Sequence, residues 1–507
     1  MKFEASPSSS CKKTTRDLFD TSYLAKDLRG RSVRSGAATV LSQGCSFVLR
    51  TASTMIMARL LTPADFGLIA MVATVTNFAM MFQDLGLSAA TIQRAEINHD
   101  QVSTLFWINT ALGVLVCLVV TAMAPGIAWF FEDSRLIPVT TALSTMFIFS
   151  GLGVQHSALL QRHMCFLSIG VIQISSMLVS VLVGIVSALL GVSYWSLVFM
   201  QIAGGIVVLL GKWIAMPWMP GVPKKGVGIK QMLHLGSSIA GFNIINYFAR
   251  NADNILIGKM IGDSALGYYS KAYGLLMMPI TQIRNPVNAV AIPALSRLQS
   301  AHEKFSNYYL KIVSIIAFLT MPMMVYMFVF AYEIVVLMLG EQWVAAASIF
   351  QVLAIAAFIQ PVASTTGMVL VSLSQGNRYL KWGLINSIIT VFAFAIGIFW
   401  GALGVALAYT VVNYILFLPS LWYCFKETPV TVGGFLKAVS RPILVSIVTA
   451  LVLIVVSQLI TFDNTAPALI VGLLTCGLTY LGGWMLIPGG RQELATMLSY
   501  LNEFRKK

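Results

Sequence analysis

GFNIINYFARNADNILIGKMIGDSALGYYSKAYG, Gly241 to Gly274, decides how the chain is read. It is apolar enough to enter a bilayer, yet it carries Arg250, Asp253 and Lys271 among Asn243, Asn246, Asn251 and Asn254. A charge at the bilayer centre costs about 2.5–3.5 kcal/mol on insertion scales, so these side chains are expected to face protein or water rather than lipid. Shifted back by about 200 positions, the stretch meets a partner. Arg50 falls opposite Arg250, Arg59 opposite Lys259, Phe66-Gly67 opposite Leu266-Gly267, and Asp84 opposite Arg284. The chain therefore reads as one unit used twice, and such repeats commonly place a substrate site near the membrane midplane. The expectation is a transporter with a cationic central cavity.

Composition agrees with a membrane protein. The 507 residues are 57% hydrophobic and 10% charged, with a mean hydropathy of +0.82, against roughly 25% charged in a soluble domain. The net charge of +14 would suit nucleic acid, but the basic residues fall mainly in every second loop, which argues against that partner. Residues 1–34 are polar and read as a cytoplasmic tail, with no apolar core and cleavage site of a removable signal peptide. The six cysteines are scattered, most of them in apolar runs, and indicate neither a metal cluster nor a disulfide framework.

A helix needs roughly 20 residues to cross the hydrocarbon. With Pro, Gly and charge clusters as breaks, the sequence predicts an all-α polytopic protein of about fourteen spans: 35–61, 66–91, 103–125, 136–160, 166–190, 193–216, 232–258, 265–294, 306–330, 345–373, 379–399, 402–424, 438–460 and 466–488. The loops on one side then hold twenty-five Lys and Arg, against Arg59, Arg135 and Lys259 on the other. By the positive-inside rule both termini are cytoplasmic. The domain reading is a six-helix lobe at 35–216, a linker at 217–231 marked by Pro217, Pro220 and Pro223, a second six-helix lobe at 232–425, two additional helices at 426–490 and a tail at 491–507. Gly191 to Leu197 answers Gly401 to Leu407, and Gln161-Arg162 answers Gln375 to Arg378, both about 210 positions apart. An even number of spans per half gives a parallel pseudo-two-fold repeat.

The candidate substrate-binding residues are Arg50, Arg250, Lys271, Arg284, Asn246 and Tyr247. Arg50 either pairs with Asp84 or holds an anionic head group. Arg250 and Asp253, three apart, share a helical face and could pair with each other. Lys271 and Arg284 lie roughly 140° apart on a straight helix, although Pro279 between them could change this; Arg284 could instead snorkel to the interface. Asp84 and Asp253 are open to two readings, structural pairing or ion coupling. The excess of cations at membrane depth calls for an anionic partner, because guanidinium groups bind phosphate oxygens bidentately. Tyr247, Tyr268, Tyr269 and Tyr273 could stack on sugars or simply pack. Trp107, Trp129, Trp195, Trp213, Trp218, Trp343, Trp382, Trp400 and Trp422 read as an interfacial belt, and the five histidines as interfacial residues without metal-ligand spacing. With no P-loop, Asp-x-Asp motif or nucleophile elbow, no cofactor, metal or ATP chemistry is expected.

The segments Ala58 to Gly67 (ARLLTPADFG), Leu85-Gly86-Leu87, Leu105 to Asn109 (LFWIN), Leu160-Gln161-Arg162 and the Gly-Val-x-x-Trp-x-Leu turn at 191–197 together resemble a polysaccharide flippase. The resemblance covers about 35–480 and is to the colanic-acid/teichuronic-acid type of exporter within the multidrug/oligosaccharidyl-lipid/polysaccharide exporter superfamily. It implies passage of an undecaprenyl-diphosphate-linked oligosaccharide to the periplasmic leaflet of the bacterial inner membrane by alternating access. It also implies work beside glycosyltransferases and a polysaccharide polymerase in making exopolysaccharide, capsule or O-antigen. Arg50, Arg250 and Lys271 match in kind the cavity cations of such proteins. A cation-coupled drug antiporter of the same superfamily is the competing reading, disfavoured by the positive cavity. A membrane-embedded polymerase or ligase would need a large outer loop, and the outer loops here are short.

Overall fold

The computed structural model describes residues 28–83, 87–94, 97–224, 247–248, 250–459, 465–492 and 494. Regular structure among them is helical: α1 (Leu28–Leu60), α2 (Pro63–Met80), α3 (Leu87–Gln93), α4 (His99–Phe131), α5 (Leu136–Arg162), α6 (Phe166–Leu189), α7 (Trp195–Ala215), α8 (250–260), α9 (Asp263–Arg297), α10 (His302–Val329), α11 (Ala331–Leu339), α12 (Val344–Ala363), α13 (Thr366–Ser372), α14 (Gly376–Gly397), α15 (Gly401–Phe425), α16 (Val432–Leu459) and α17 (Thr465–Leu486). Ten segments of the described chain are long and apolar enough to cross a membrane. One of them, Gly376–Phe425, spans 50 residues; at about 1.5 Å per residue that is more than twice the hydrocarbon thickness, so it makes two passes. Splitting it and adding α1 and α9, together with α8, of which eleven residues are described, is consistent with the fourteen expected spans.

The chain forms two compact units: residues 1–248 with 262–264, and residues 249–261 with 265–507. In unit 1, α4 and α5 run antiparallel at very short range. A Cβ on Gly113 would stand 2.6 Å from the Phe147 carbonyl oxygen, and one on Gly151 would stand 2.7 Å from that of Asn109. Small residues at such a crossing let backbones approach where dispersion must replace the hydrophobic effect. α2 starts on a capping box: Thr62 Oγ1 accepts from the Asp65 amide, and Asp65 returns the bond to the Thr62 amide, with Pro63 at the first helical position. Ser193 Oγ also donates to Asp65 at 2.5 Å. The Thr-Pro-Ala-Asp-Phe-Gly run is thus structural. Gly67 completes it, because a Cβ there would overlap the Asp263 carbonyl.

The second span departs from the expected continuous helix over 66–91. α2 ends at Met80 and α3 begins at Leu87, while residues 84–86, with Asp84, lie outside the described residues. Neighbouring helices make the break tolerable. Gln83 Nε2 donates to the Phe147 carbonyl at 2.5 Å, Thr91 Oγ1 donates to Gln155 Oε1 at 2.8 Å, and Arg162 closes the end of α3 through the Thr91 carbonyl at 3.0 Å.

In unit 2 the core joins α9, α10, α13, α15 and α16 around Leu295, Tyr309, Met368, Phe425 and Phe435. The first of the two additional helices, α16, is built into this core. α17 adds Tyr480 and Trp484 against Phe318, and Tyr326 of α10 donates to the Leu469 carbonyl at 2.9 Å. α11 occupies what was expected to be a loop. Both units reuse one local backbone design. Met164 and Ser374 each take a left-handed conformation (φ 56° and 57°), as do Gly191 and Gly401 (φ 77° and 75°), and both pairs are 210 residues apart.

Candidate functional site

In unit 1, Arg50 lies in α1 and is exposed. It stands ten residues before the helix end at Leu60, about 15 Å along the axis. Thr54 Oγ1 donates to its backbone carbonyl at 2.9 Å. Tyr247 is half-buried, its hydroxyl donating to the Thr74 carbonyl at 2.7 Å and its ring 5.5 Å from that of Phe78. That packing accounts for its aromatic and its polar atoms alike. Asn246 and Asp84 lie outside the described residues.

In unit 2, Arg250 lies in α8 and is likewise exposed, ten residues before Met260. The repeat thus sets one exposed arginine at the same depth in each unit. The pairing of Arg250 with Asp253 does not form. Asp253 is buried, at 8% exposure; its Oδ2 accepts from Tyr269 Oη at 2.8 Å and its Oδ1 from the Asn254 amide at 2.8 Å. Short neutral donors reach the carboxylate without desolvating a second charge, so they displace the ion pair. Lys271 and Arg284 are half-buried in α9.

Asp253 belongs to a polar cluster drawn from four helices. Tyr269 stacks on Tyr273, with centroids 6.4 Å apart. Tyr273 lies beside Tyr409, Gln360 and the Asp253 carboxylate. Gln360 Nε2 donates to Tyr409 Oη at 2.7 Å. Gln360 and Tyr409 escaped the sequence reading. Their signal is a polar side chain inside an apolar run, weaker than that of a formal charge. Chemically, the cluster is a carboxylate supplied with neutral donors, able to take a proton or a cation without breaking an ion pair.

Two aromatic readings change as well. Trp400 and Trp422 are exposed as a belt requires, but Trp218 and Trp343 are fully buried, the latter edge-on to Tyr268 at 5.9 Å. His156 is not interfacial: it is fully buried and stacked on Trp213 at 4.4 Å, because a neutral imidazole is at home in an aromatic box. Among the described residues no group of three His, Cys, Asp or Glu side chains could hold a metal. Cys45, Cys117, Cys424 and Cys476 are free thiols.

Two helical units that repeat one local design, each with an arginine exposed at the same depth, define a multi-pass membrane protein of transporter architecture. The fold is shared with the lipid II flippase MurJ in an inward closed conformation, at 15% identity and a TM-score of 0.71, covering 88% of this chain and 97% of that one. Residues 56–348 match the family described as polysaccharide biosynthesis protein, and the chain belongs to that family. It is 26% identical over 399 residues to the lipopolysaccharide biosynthesis protein WzxC of Escherichia coli K12, covering 77% of this chain and 80% of that protein. It is also 26% identical over 420 residues to the succinoglycan biosynthesis transport protein ExoT of Rhizobium meliloti 1021, covering 82% and 84%.

Proposed function

We infer that the protein moves an undecaprenyl-diphosphate-linked oligosaccharide from the cytoplasmic to the periplasmic leaflet of a bacterial inner membrane by alternating access, with both termini in the cytoplasm. Family membership supports a role in polysaccharide assembly, and the name of the succinoglycan relative supports transport as that role. The observation that carries the reading is the exposure of Arg50 and Arg250 at matching depth. A guanidinium about 15 Å inside a membrane helix does not face lipid, so exposure there means a wet surface. A wet arginine binds diphosphate oxygens in bidentate fashion. Lys271, Arg284 and Asn246 are assigned to the same anionic passenger, and Asp253 to ion coupling. A glycosyltransferase and a polymerase are the expected partners before and after the step. Arg250→Ala is expected to abolish polymer export while the protein still inserts at normal level. Normal export from a well-expressed Arg250→Ala variant contradicts the reading.

A further inference from the structure

Met216 to Lys224 (MPWMPGVPK) carries Pro217, Pro220 and Pro223 and covers the start of the expected linker, where freedom between the lobes would be looked for. The structure gives it a different character. Its side chains alternate: Met216 and Trp218 are buried, while Met219 and Val222 point outward. The Trp218 ring is 6.0 Å from Phe106, 5.4 Å from His156 and 5.9 Å from His99. Five hydrogen bonds sew the segment to α4 and α5. His156 Nε2 bonds the Trp218 carbonyl at 3.1 Å; a carbonyl only accepts, so this nitrogen carries the proton. Trp107 Nε1 donates to the Gly221 carbonyl at 2.9 Å, and the Gly221 amide donates to Ser103 Oγ at 2.9 Å. The Lys224 amide donates to Thr104 Oγ1 at 3.1 Å, and Lys224 Nζ pairs with Asp100 at 2.7 Å. Proline-rich chain without internal hydrogen bonds is stiff and presents its backbone outward. Here the Trp218 amide turns back to the Met216 carbonyl at 2.7 Å, α4 and α5 bond the Trp218, Gly221 and Lys224 backbone, and an aromatic anchor fills the gap beneath.

We propose that residues 216–224 are a fixed strap of unit 1 rather than a hinge, with Trp218 and His156 as positioning residues that keep the strap moving as one body with α4 and α5. The part of this that concerns transport rests on the flippase reading; the attachment itself does not. A Cβ on Gly221 stands 3.5 Å from Ser103 Oγ, within disulfide reach, once the His99 ring edge at 2.9 Å swings aside. In the full-length protein in membranes, the Ser103→Cys/Gly221→Cys pair is expected to cross-link nearly completely, against none in either single variant. The oxidised protein is expected to export glycan within about twofold of its reduced form. Loss of export on oxidation that dithiothreitol restores overturns the proposal, because the strap then has to move. A cross-link yield no higher than in the single variants overturns it independently of export. If the pair cross-links but neither form exports glycan, while the parent protein also exports none, the flippase reading fails and the attachment stands. As a second arm, Trp218→Ala is expected to speed tryptic cleavage at Lys224 at least tenfold and to depress export, with both restored by Trp218→Phe. Trp218→Ala with parental cleavage and parental export removes the anchor.

Discussion

The two units use the same scaffold and different interiors. Arg162 in unit 1 and Arg378 in unit 2 do the same job, binding the carbonyls at the end of a helix: Arg162 those of α3, Arg378 those of Tyr423 and Lys426 at the end of α15. Cationic donors at a helix C-terminus satisfy orphan carbonyls and oppose the dipole. The left-handed turns 210 residues apart recur with equal fidelity. The buried polar groups do not. Unit 1 uses its buried carboxylate, Asp65, for the cap of α2; deeper in, it pairs neutral Thr91 with neutral Gln155 and buries Asn109 with neither amide atom bonded. Unit 2 builds a carboxylate, Asp253, into a chain of tyrosines. A repeat keeps what a helix bundle needs to close its backbone bonds, and leaves free the interior where chemistry is placed.

The largest expected effect therefore separates the interiors. Asp253→Asn preserves shape and the possibility of a Tyr269 bond, and is expected to cut export at least tenfold at unchanged protein level. Thr91→Val is expected to leave export near normal and to cost about 1 kcal/mol of stability, the usual worth of a neutral hydrogen bond. Equal export from the two variants would erase the contrast. A smaller effect tests the shared scaffold: Arg162→Ala and Arg378→Ala are each expected to destabilise by about 1.5–3 kcal/mol, as for bonds to a charged group, read as similar drops in thermal midpoint in detergent. A large difference between them would mean the twin arginines are not equivalent.

The smallest effect lies in unit 1 at the turn before α5. Arg135 bonds both Asp133 and Asp263 at 2.7 Å. Burial pushes the Asp133 carboxyl up, but hydrogen bonds and charge from Arg135 outweigh it and hold the group below the usual carboxylate range. Such a depressed group contributes stability above its unfolded pKa and loses it as pH falls through the folded one. Arg135 is half-exposed, so Arg135→Ala is expected to cost only about 0.2–1 kcal/mol at neutral pH. The difference from the parent should vanish once the pH drops below the carboxylate range. A pH-independent difference would mean that the pair is not its source.

The all-helical membrane-spanning class and the repeat were legible in the sequence because each is a periodic feature: apolar length, and a turn motif repeated about 210 residues on. What was not legible depends on partners distant in sequence. The break after α2 needs Gln83 to reach Phe147 and Arg162 to reach Thr91, and nothing in 81–93 alone announces either. Trp218 reads as interfacial until α4, α5 and α7 enclose it. Arg250 and Asp253 have the spacing of an ion pair, yet Tyr269, sixteen residues on, takes the carboxylate instead. Gln360 and Tyr409 carry no charge, so nothing in an apolar span marks them as members of the cluster.

The account comes down to whether the matched arginines hold a negatively charged passenger. The direct measurement is translocation of an undecaprenyl-diphosphate-linked oligosaccharide by purified protein in proteoliposomes, comparing the parent with Arg50→Ala, Arg250→Ala and the corresponding lysine variants. The account predicts at least a tenfold loss in both alanine variants and partial recovery with lysine, which keeps the charge but not the bidentate geometry. Parental rates in both alanine variants would contradict it.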